Sequence, residues 1–224
     1  LQKLNNQPPH RPSDHVWAKW WKTPWQLDLL PLNSANETIS LTLPPPTAAT
    51  ATLLAELPAL ESARTLQRIH GDLCFNNILA EPQSGSIRLI DPRGERPAEA
   101  HWPIGYGDPR YDLVKLLHSC RYLYDAVVND LFEIRIAAPG QLQLRLDVPA
   151  HYAEVNRAIK QMMLTEQLSH EEERLLTASL FMSMLPLHQE DGERCLVFTA
   201  IGLMILESQF DAVLKAGGQA PIGR

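Results

Sequence analysis

The sequence predicts an α+β chain, mainly helical, with two small β-hairpins, and three observations lead to that class. Over residues 109–128 and 149–215 apolar residues recur at three- and four-residue steps, the period of a helix face. Residues 77–91 and 132–146 instead read as pairs of short strand-like runs joined by glycine-containing turns. Ahead of the first pair, and running into it, lies Ile69-His70-Gly71-Asp72-Leu73-Cys74-Phe75-Asn76-Asn77-Ile78-Leu79, with polar residues where a strand would carry apolar ones. Such a stretch reads as a loop that presents side chains while flanking strands anchor it.

Residues 1–46 form a Pro/Trp-rich segment, with Trp17, Trp20, Trp21 and Trp25 close together and Pro44-Pro45-Pro46 as its boundary. Trp17 and Trp21 lie at helical spacing, and the rings are expected to cover part of the core, with a sugar-stacking platform as the sharper alternative. The domain of residues 47–224 opens with Leu53, Leu54, Leu57 and Leu60 at near-helical intervals. Pro58 interrupts them, so one kinked helix or two short ones is expected. Asn77 to Glu81 and Ser86 to Asp91 make the first hairpin. Asp108 reads as an N-cap with Pro109 at the first helical position, opening an amphipathic helix over Pro109 to Val128. Phe132 to Ile136 and Leu142 to Leu146 alternate around Pro139-Gly140 as the second hairpin. Three helices follow: about Pro149 to Gln167; about His170 to Leu187, opened by the capping box Ser169-His170-Glu171-Glu172; and about Glu193 to Lys215, stopped at Gly217-Gly218.

The 224 residues suffice for one domain with a sizeable core. A net charge of -6 and the absence of Lys/Arg runs argue against nucleic acid and anionic membranes as partners, both of which need a basic surface. Cys74, Cys120 and Cys195 are odd in number and widely spaced, so reduced thiols and a cytoplasmic location are expected. The apolar run Cys195 to Leu206 is too short for a bilayer and reads as a buried helix. Leu1 in place of Met reads as a processed start or a fragment of a longer chain.

Strand pairing brings Asn77, which begins one hairpin strand, near Asp91, which ends the other, beside Asp72. Two carboxylates and a carboxamide of this kind suit a hard cation such as Mg²⁺, which takes few protein oxygens and completes its shell with phosphate and water. The remaining carboxylate would orient a hydroxyl nucleophile. Cys74 and Phe75 are expected to pack toward the core.

The pattern H-G-D-x-x-x-x-N (His70 to Asn77), the motif Ile90-Asp91-Pro92 and the segment Gly107-Asp108-Pro109-Arg110-Tyr111-Asp112-Leu113 resemble, in order and spacing, the aminoglycoside phosphotransferase and choline kinase group of small-molecule kinases. The resemblance covers about residues 47–210. It implies the C-terminal lobe of a protein-kinase-like fold, with Asp72 as catalytic aspartate, Asn77 and Asp91 as metal ligands, and His70 and Asp112 as loop supports. ATP and Mg are the implied cofactors, and a small-molecule hydroxyl is the implied acceptor. Arg93 would contact phosphate, with a surface salt bridge as the plainer alternative. His-Gly-Asp-Leu-Cys-Phe, Ile-Asp-Pro-Arg-Gly and Gly-Asp-Pro-Arg-Tyr-Asp-Leu-x-Lys-Leu-x-His-Ser further resemble phosphotransferase-like proteins of capsular polysaccharide loci, pointing to a sugar or capsule precursor. No glycine precedes Gly71, and Lys19 only faintly resembles a strand lysine, so the N-terminal β lobe of that fold is expected to be absent or truncated here, or supplied by another domain. Two alternatives remain: a catalytically idle kinase-like nucleotide- or sugar-binding module, and a metal-dependent hydrolase using His70, Asp72 and Asp91 as ligands.

Overall fold

The computed structural model describes residues 19–33, 35–60, 66–93, 104–149, 151–163 and 168–217. Trp17, and with it the helical Trp17/Trp21 spacing, lies outside them. In chain order come β1 (Trp25–Leu29), β2 (Ile39–Leu43), α1 (Pro46–Glu56), a 3-10 turn at Leu57–Leu60, and β3 (Gln67–Arg68). Then follow β4 (Ile78–Glu81), β5 (Ser86–Leu89), β6 (Tyr106–Gly107), α2 (Arg110–Cys120) and α3 (Tyr124–Val128). Strands β7 (Phe132–Ala138) and β8 (Gln141–Leu146) precede α4 (Tyr152–Met163), α5 (His170–Ser183), α6 (Gly192–Leu206) and α7 (Asp211–Gly217). The class is α+β with small sheets.

The segment ahead of the proline run contributes two strands that the sequence reading did not assign. Strands β1 and β2 pair antiparallel with Leu27 opposite Leu41, and β1 also runs parallel to β8 with Leu27 beside Leu142. The second hairpin is therefore half of a four-stranded sheet ordered β2-β1-β8-β7. Alternation explains it: Trp25, Leu27 and Leu29 on β1 and Leu142, Leu144 and Leu146 on β8 turn one face to the core and are buried. Trp20 is buried as well, and the Trp25 indole N–H donates to the Trp20 carbonyl at 3.1 Å, so these two rings are packing rather than a stacking platform. Gly140, at φ +74°, turns the β7–β8 hairpin and brings its carbonyl onto the Gln26 amide at 2.7 Å.

Two expected helices are broken. The Pro109–Val128 helix ends at Cys120, and Leu123 adopts φ 60° before α3 begins. The apolar spacing runs on across the break because both pieces bury a face in the same core. Arg121, at the break, reaches Glu173 at 3.1 Å and Asn156 at 2.9 Å, tying α2 to α5 and α4. The Glu193–Lys215 helix is likewise two pieces, α6 and α7, bent by 119° with Ser208 at φ 55°. Helix α7 thereby lays Val213 and Ala216 under the sheet, in contact with β1 and β8, and Gly217 is its last residue rather than a stop beyond it.

Residues 196–206 of α6 are buried on every side, the pattern of a central helix. Gly202 lets α5 approach, since a Cβ there would stand 3.4 Å from Phe181 Cβ and Met182 Sδ. Among the described residues no single helix is long and apolar enough to cross a membrane. The capping box is formed as expected: Ser169 Oγ accepts from the Glu172 amide at 3.2 Å, and the Glu172 carboxylate accepts from the Ser169 amide at 2.8 Å. Glu172 also holds Arg110 at 2.8 Å, fastening the start of α2 to the start of α5.

Candidate functional site

The loop between β3 and β4 is held by main-chain hydrogen bonds from three sides. Gly71 takes φ +78°, and a Cβ on it would lie 3.1 Å from Arg93 Cβ, so both the backbone turn and the close approach of residue 93 require glycine. Asp112, in the first turn of α2, accepts from the His70 and Gly71 amides at 2.6 and 2.8 Å. One carboxylate thus satisfies two successive N–H groups that the tight turn would otherwise leave unpaired. The His70 ring faces the Ile90 carbonyl through Nε2 at 2.9 Å and the Asp72 amide through Nδ1 at 3.3 Å. That pairing fits the neutral tautomer with the proton on Nε2 and leaves neither nitrogen for a metal.

Residue 77 closes the loop. A 3-10 turn over Phe75–Asn77 buries Asn77, whose Nδ2 donates to the Asp72 carbonyl at 2.8 Å. The same turn swings Phe75 out, leaving it exposed instead of packed as expected, while Cys74 is buried. The hairpin register, Ile78 opposite Leu89, continues with the Ile90 amide donating to the Asn77 carbonyl at 3.0 Å. Asp91 follows immediately, exposed, at φ 55°, and the Arg93 amide then returns to the His70 carbonyl at 2.8 Å. Residues 90–93 are consequently laid against the loop at both ends.

Asp72 carries the charge of the site. Its Oδ1 is 2.7 Å from Lys115 Nζ and its Oδ2 is 3.4 Å from Arg93 Nε. Burial pushes the Asp72 carboxyl up, but Lys115 and then Arg93 outweigh it, and the net direction is down. For the Cys74 thiol, burial and then the Asp72 charge push upward, which keeps it protonated. Behind the loop, Ser119 Oγ accepts from the Phe75 amide at 3.2 Å, a further link from α2 to the loop.

A cavity of about 210 Å³ opens beside these groups. Asp72, Asn77, Arg93 and Lys115 are among its lining residues, as are Tyr124 and His188. Of the residues singled out from sequence, Asp72, Asn77 and Arg93 therefore share the cavity, His70 and Asp112 sit behind the loop as braces, and Asp91 stands on the adjoining segment outside the lining. Among the described residues no three His, Cys, Asp or Glu side chains gather as a metal-binding group.

Lys115 was missed by the sequence reading. Its signal is position: one helical turn after Asp112, on a helix whose buried residues include Val114, His118 and Ser119, a lysine faces the same loop that Asp112 braces. The fold and the site together define an α+β protein with a small polar cavity centred on one carboxylate. A scan of family models, a search of curated proteins and a search of solved structures each found no match to this chain.

Proposed function

We propose that the protein transfers the terminal phosphoryl group of ATP, with Mg²⁺, to a hydroxyl of a small molecule, on the C-terminal-lobe scaffold of a kinase-like fold. A sugar or capsule precursor is the acceptor class that the resemblance implies. The observation that carries this reading is the joining of three separate motifs: His70 and Gly71 are held by Asp112, and residues 90 and 93 are hydrogen-bonded to Asn77 and His70. Three motifs kept together by main-chain bonds are what a fixed catalytic constellation needs.

In this reading Asp72 orients the acceptor hydroxyl. The hydroxyl oxygen bonds to the γ-phosphorus as the bond from that phosphorus to the bridging oxygen breaks; ADP departs with the electron pair, and the proton passes to Asp72 or to water. With two cations lowering its pKa, Asp72 is a weak base, which suffices because the loose transition state of phosphoryl transfer asks for orientation and charge more than for proton abstraction. Asn77 and Asp91 offer hard oxygen donors of the type Mg²⁺ takes. Asn77 Nδ2 is engaged by the Asp72 carbonyl, so Oδ1 is the atom presented to a cation. The bound ion, when present, offsets phosphate charge.

The idle-module reading draws on two observations: both oxygens of Asp72 face cations, and Asp91 stands outside the cavity lining. The hydrolase reading gets no such support, because both nitrogens of His70, its first ligand, are engaged by the main chain. Incubation with Mg-ATP and a panel of sugars, followed by ³¹P NMR, separates transfer from binding. A new phosphate ester that depends on Asp72 supports the transferase, whereas nucleotide or sugar binding without any ester overturns it.

A further inference from the structure

Lysine is rarely buried unless it is paired. The Lys115 side chain is only 5% exposed, its Nζ lies 2.7 Å from Asp72 Oδ1, and its ammonium stands 5.9 Å from the Tyr124 ring centroid. A buried ion pair recovers little beyond its desolvation cost, so stability alone is a poor reason for one. The pair also faces the cavity. An ammonium has three N–H bonds, and Asp72 Oδ1 takes one of them.

The charged walls are Lys115, Arg93 and Asp72, two cations against one carboxylate, in a chain whose net charge is -6. Burial, then Arg194, lowers the pKa of His188 on the same wall, so it adds no positive charge near neutrality. Asp125, outside the cavity lining, has its carboxyl pushed up by burial and drawn back down in part by Lys115. The cavity, at about 210 Å³, is smaller than a pocket for a whole ligand and fits one polar group.

We propose that Lys115 is a phosphate-binding residue: its ammonium, braced by Asp72 and assisted by the exposed guanidinium of Arg93, holds a tetrahedral phosphate group in this cavity. The assignment rests on the phosphoryl-transfer reading, in which that group is either the terminal phosphate of the donor or the phosphate newly placed on the acceptor. A compact ammonium at the base and a forked guanidinium at the rim divide the work by geometry, the first as a point charge and the second as a directional donor.

The test is a ³¹P NMR titration of inorganic phosphate into the full chain, with circular dichroism on every variant. Removing the carboxylate and removing the cation should act in opposite directions. Asp72→Asn frees the ammonium and tightens phosphate. Adding Lys115→Met to it weakens phosphate about tenfold or more relative to Asp72→Asn, the loss expected for one charge-assisted hydrogen bond. The double variant removes both members of the buried pair, whereas Lys115→Met alone leaves the Asp72 carboxylate with only the exposed Arg93 as partner. Arg93→Gln, at a site 62% exposed, weakens phosphate by a smaller factor without touching the core. Equal phosphate affinity in Asp72→Asn and the double variant, or no phosphate binding in any form, overturns the assignment. Parallel titrations with Mg-ATP and glucose 6-phosphate identify the source, since Lys115-dependent affinity for the first marks the donor group and for the second the product group. Mg-ATP binding that requires Asp91 but ignores Lys115, together with glucose 6-phosphate binding that also ignores Lys115, overturns the assignment and leaves the transfer reading standing. Lys115-dependent phosphate binding with no nucleotide binding supports the site and removes the transfer reading.

Discussion

Asp72 is met by two cations of unlike character: Lys115 is enclosed and Arg93 is 62% exposed, so the first pair is shielded from salt and the second is not. In the proposed reaction the carboxylate acts on the acceptor hydroxyl. Asp72→Asn is therefore expected to lower the transfer rate by about two to four orders of magnitude, the usual range for a positioned acid–base group, without weakening Mg-ATP binding. Single-turnover kinetics beside a nucleotide titration checks both halves, and an unchanged rate removes Asp72 from the mechanism. The same proposal assigns Asp91 to the nucleotide side. Asp91→Ala should abolish Mg²⁺-dependent ATP binding, measured by isothermal titration, and a variant that bound Mg-ATP as tightly as the parent would count against Asp91 as a ligand. Its φ of 55° is tolerated by aspartate and strained for most other residues, so circular dichroism belongs beside that titration.

Helix α2 organises the loop through side chains one turn apart, because residues three and four apart share a helix face. Asp112 holds the amides of residues 70 and 71, Lys115 holds the carboxylate of residue 72, and Ser119 holds the amide of residue 75. Asp112→Ala leaves two loop N–H groups without their acceptor. The expected cost is about 2 to 4 kcal/mol in a denaturant titration, with faster hydrogen exchange at His70 and Gly71. Unchanged exchange at both amides would show that Asp112 does not hold the loop. Helix α5 gives a control far from the loop chemistry: Ser169→Ala removes one half of the capping box and should cost about 1 kcal/mol while leaving phosphate binding intact.

The molecule closes around a core in which His118 of α2 packs on rings from α3 and α5, which in turn meet Phe198 of α6. The ring stacks on Tyr124 at 4.0 Å between centroids and leans on Phe181 at 4.4 Å, and neither nitrogen has a hydrogen-bond partner among the described residues. Burial, and then the Lys115 charge, hold its pKa well below 6.5. The unfolded chain accepts this proton near 6.5 and the folded chain refuses it, so the contribution is complete above that pH and declines below it. The decline is about 1.4 kcal/mol per pH unit for one proton, continuing until the folded imidazole itself titrates. Denaturant midpoints measured downward from neutral pH should show this slope. His118→Phe, an aromatic swap that removes both unpartnered nitrogens, should flatten it by one proton, and a slope unchanged in that variant would mean His118 is protonated in the fold. Asp72 acts in a lower window: its depressed pKa supports stability above the ordinary carboxylate value of 3.8 and loses it as pH falls through the folded value.

Devices confined to a few neighbouring residues were legible in the sequence: the Ser169–Glu172 capping box, the Pro58 interruption, the Pro139-Gly140 turn and the 77–91 hairpin. Each is set by steric and hydrogen-bonding rules that act within about one turn. The loop residues were legible as a group because polar side chains interrupt an apolar strand pattern, and the hairpin register alone carries Asp91 back toward Asn77. The breaks at residues 121–123 and 207–210 were not legible, since helices on either side of a bend bury the same kind of face and periodicity passes through unbroken. Strands β1 and β2 do alternate, yet their place depends on β8, a partner distant in sequence that no local rule selects. The Lys115–Asp72 pair was likewise decided only by tertiary structure, because a lysine on a helix reads as solvated until packing sets that face against a carboxylate from another element.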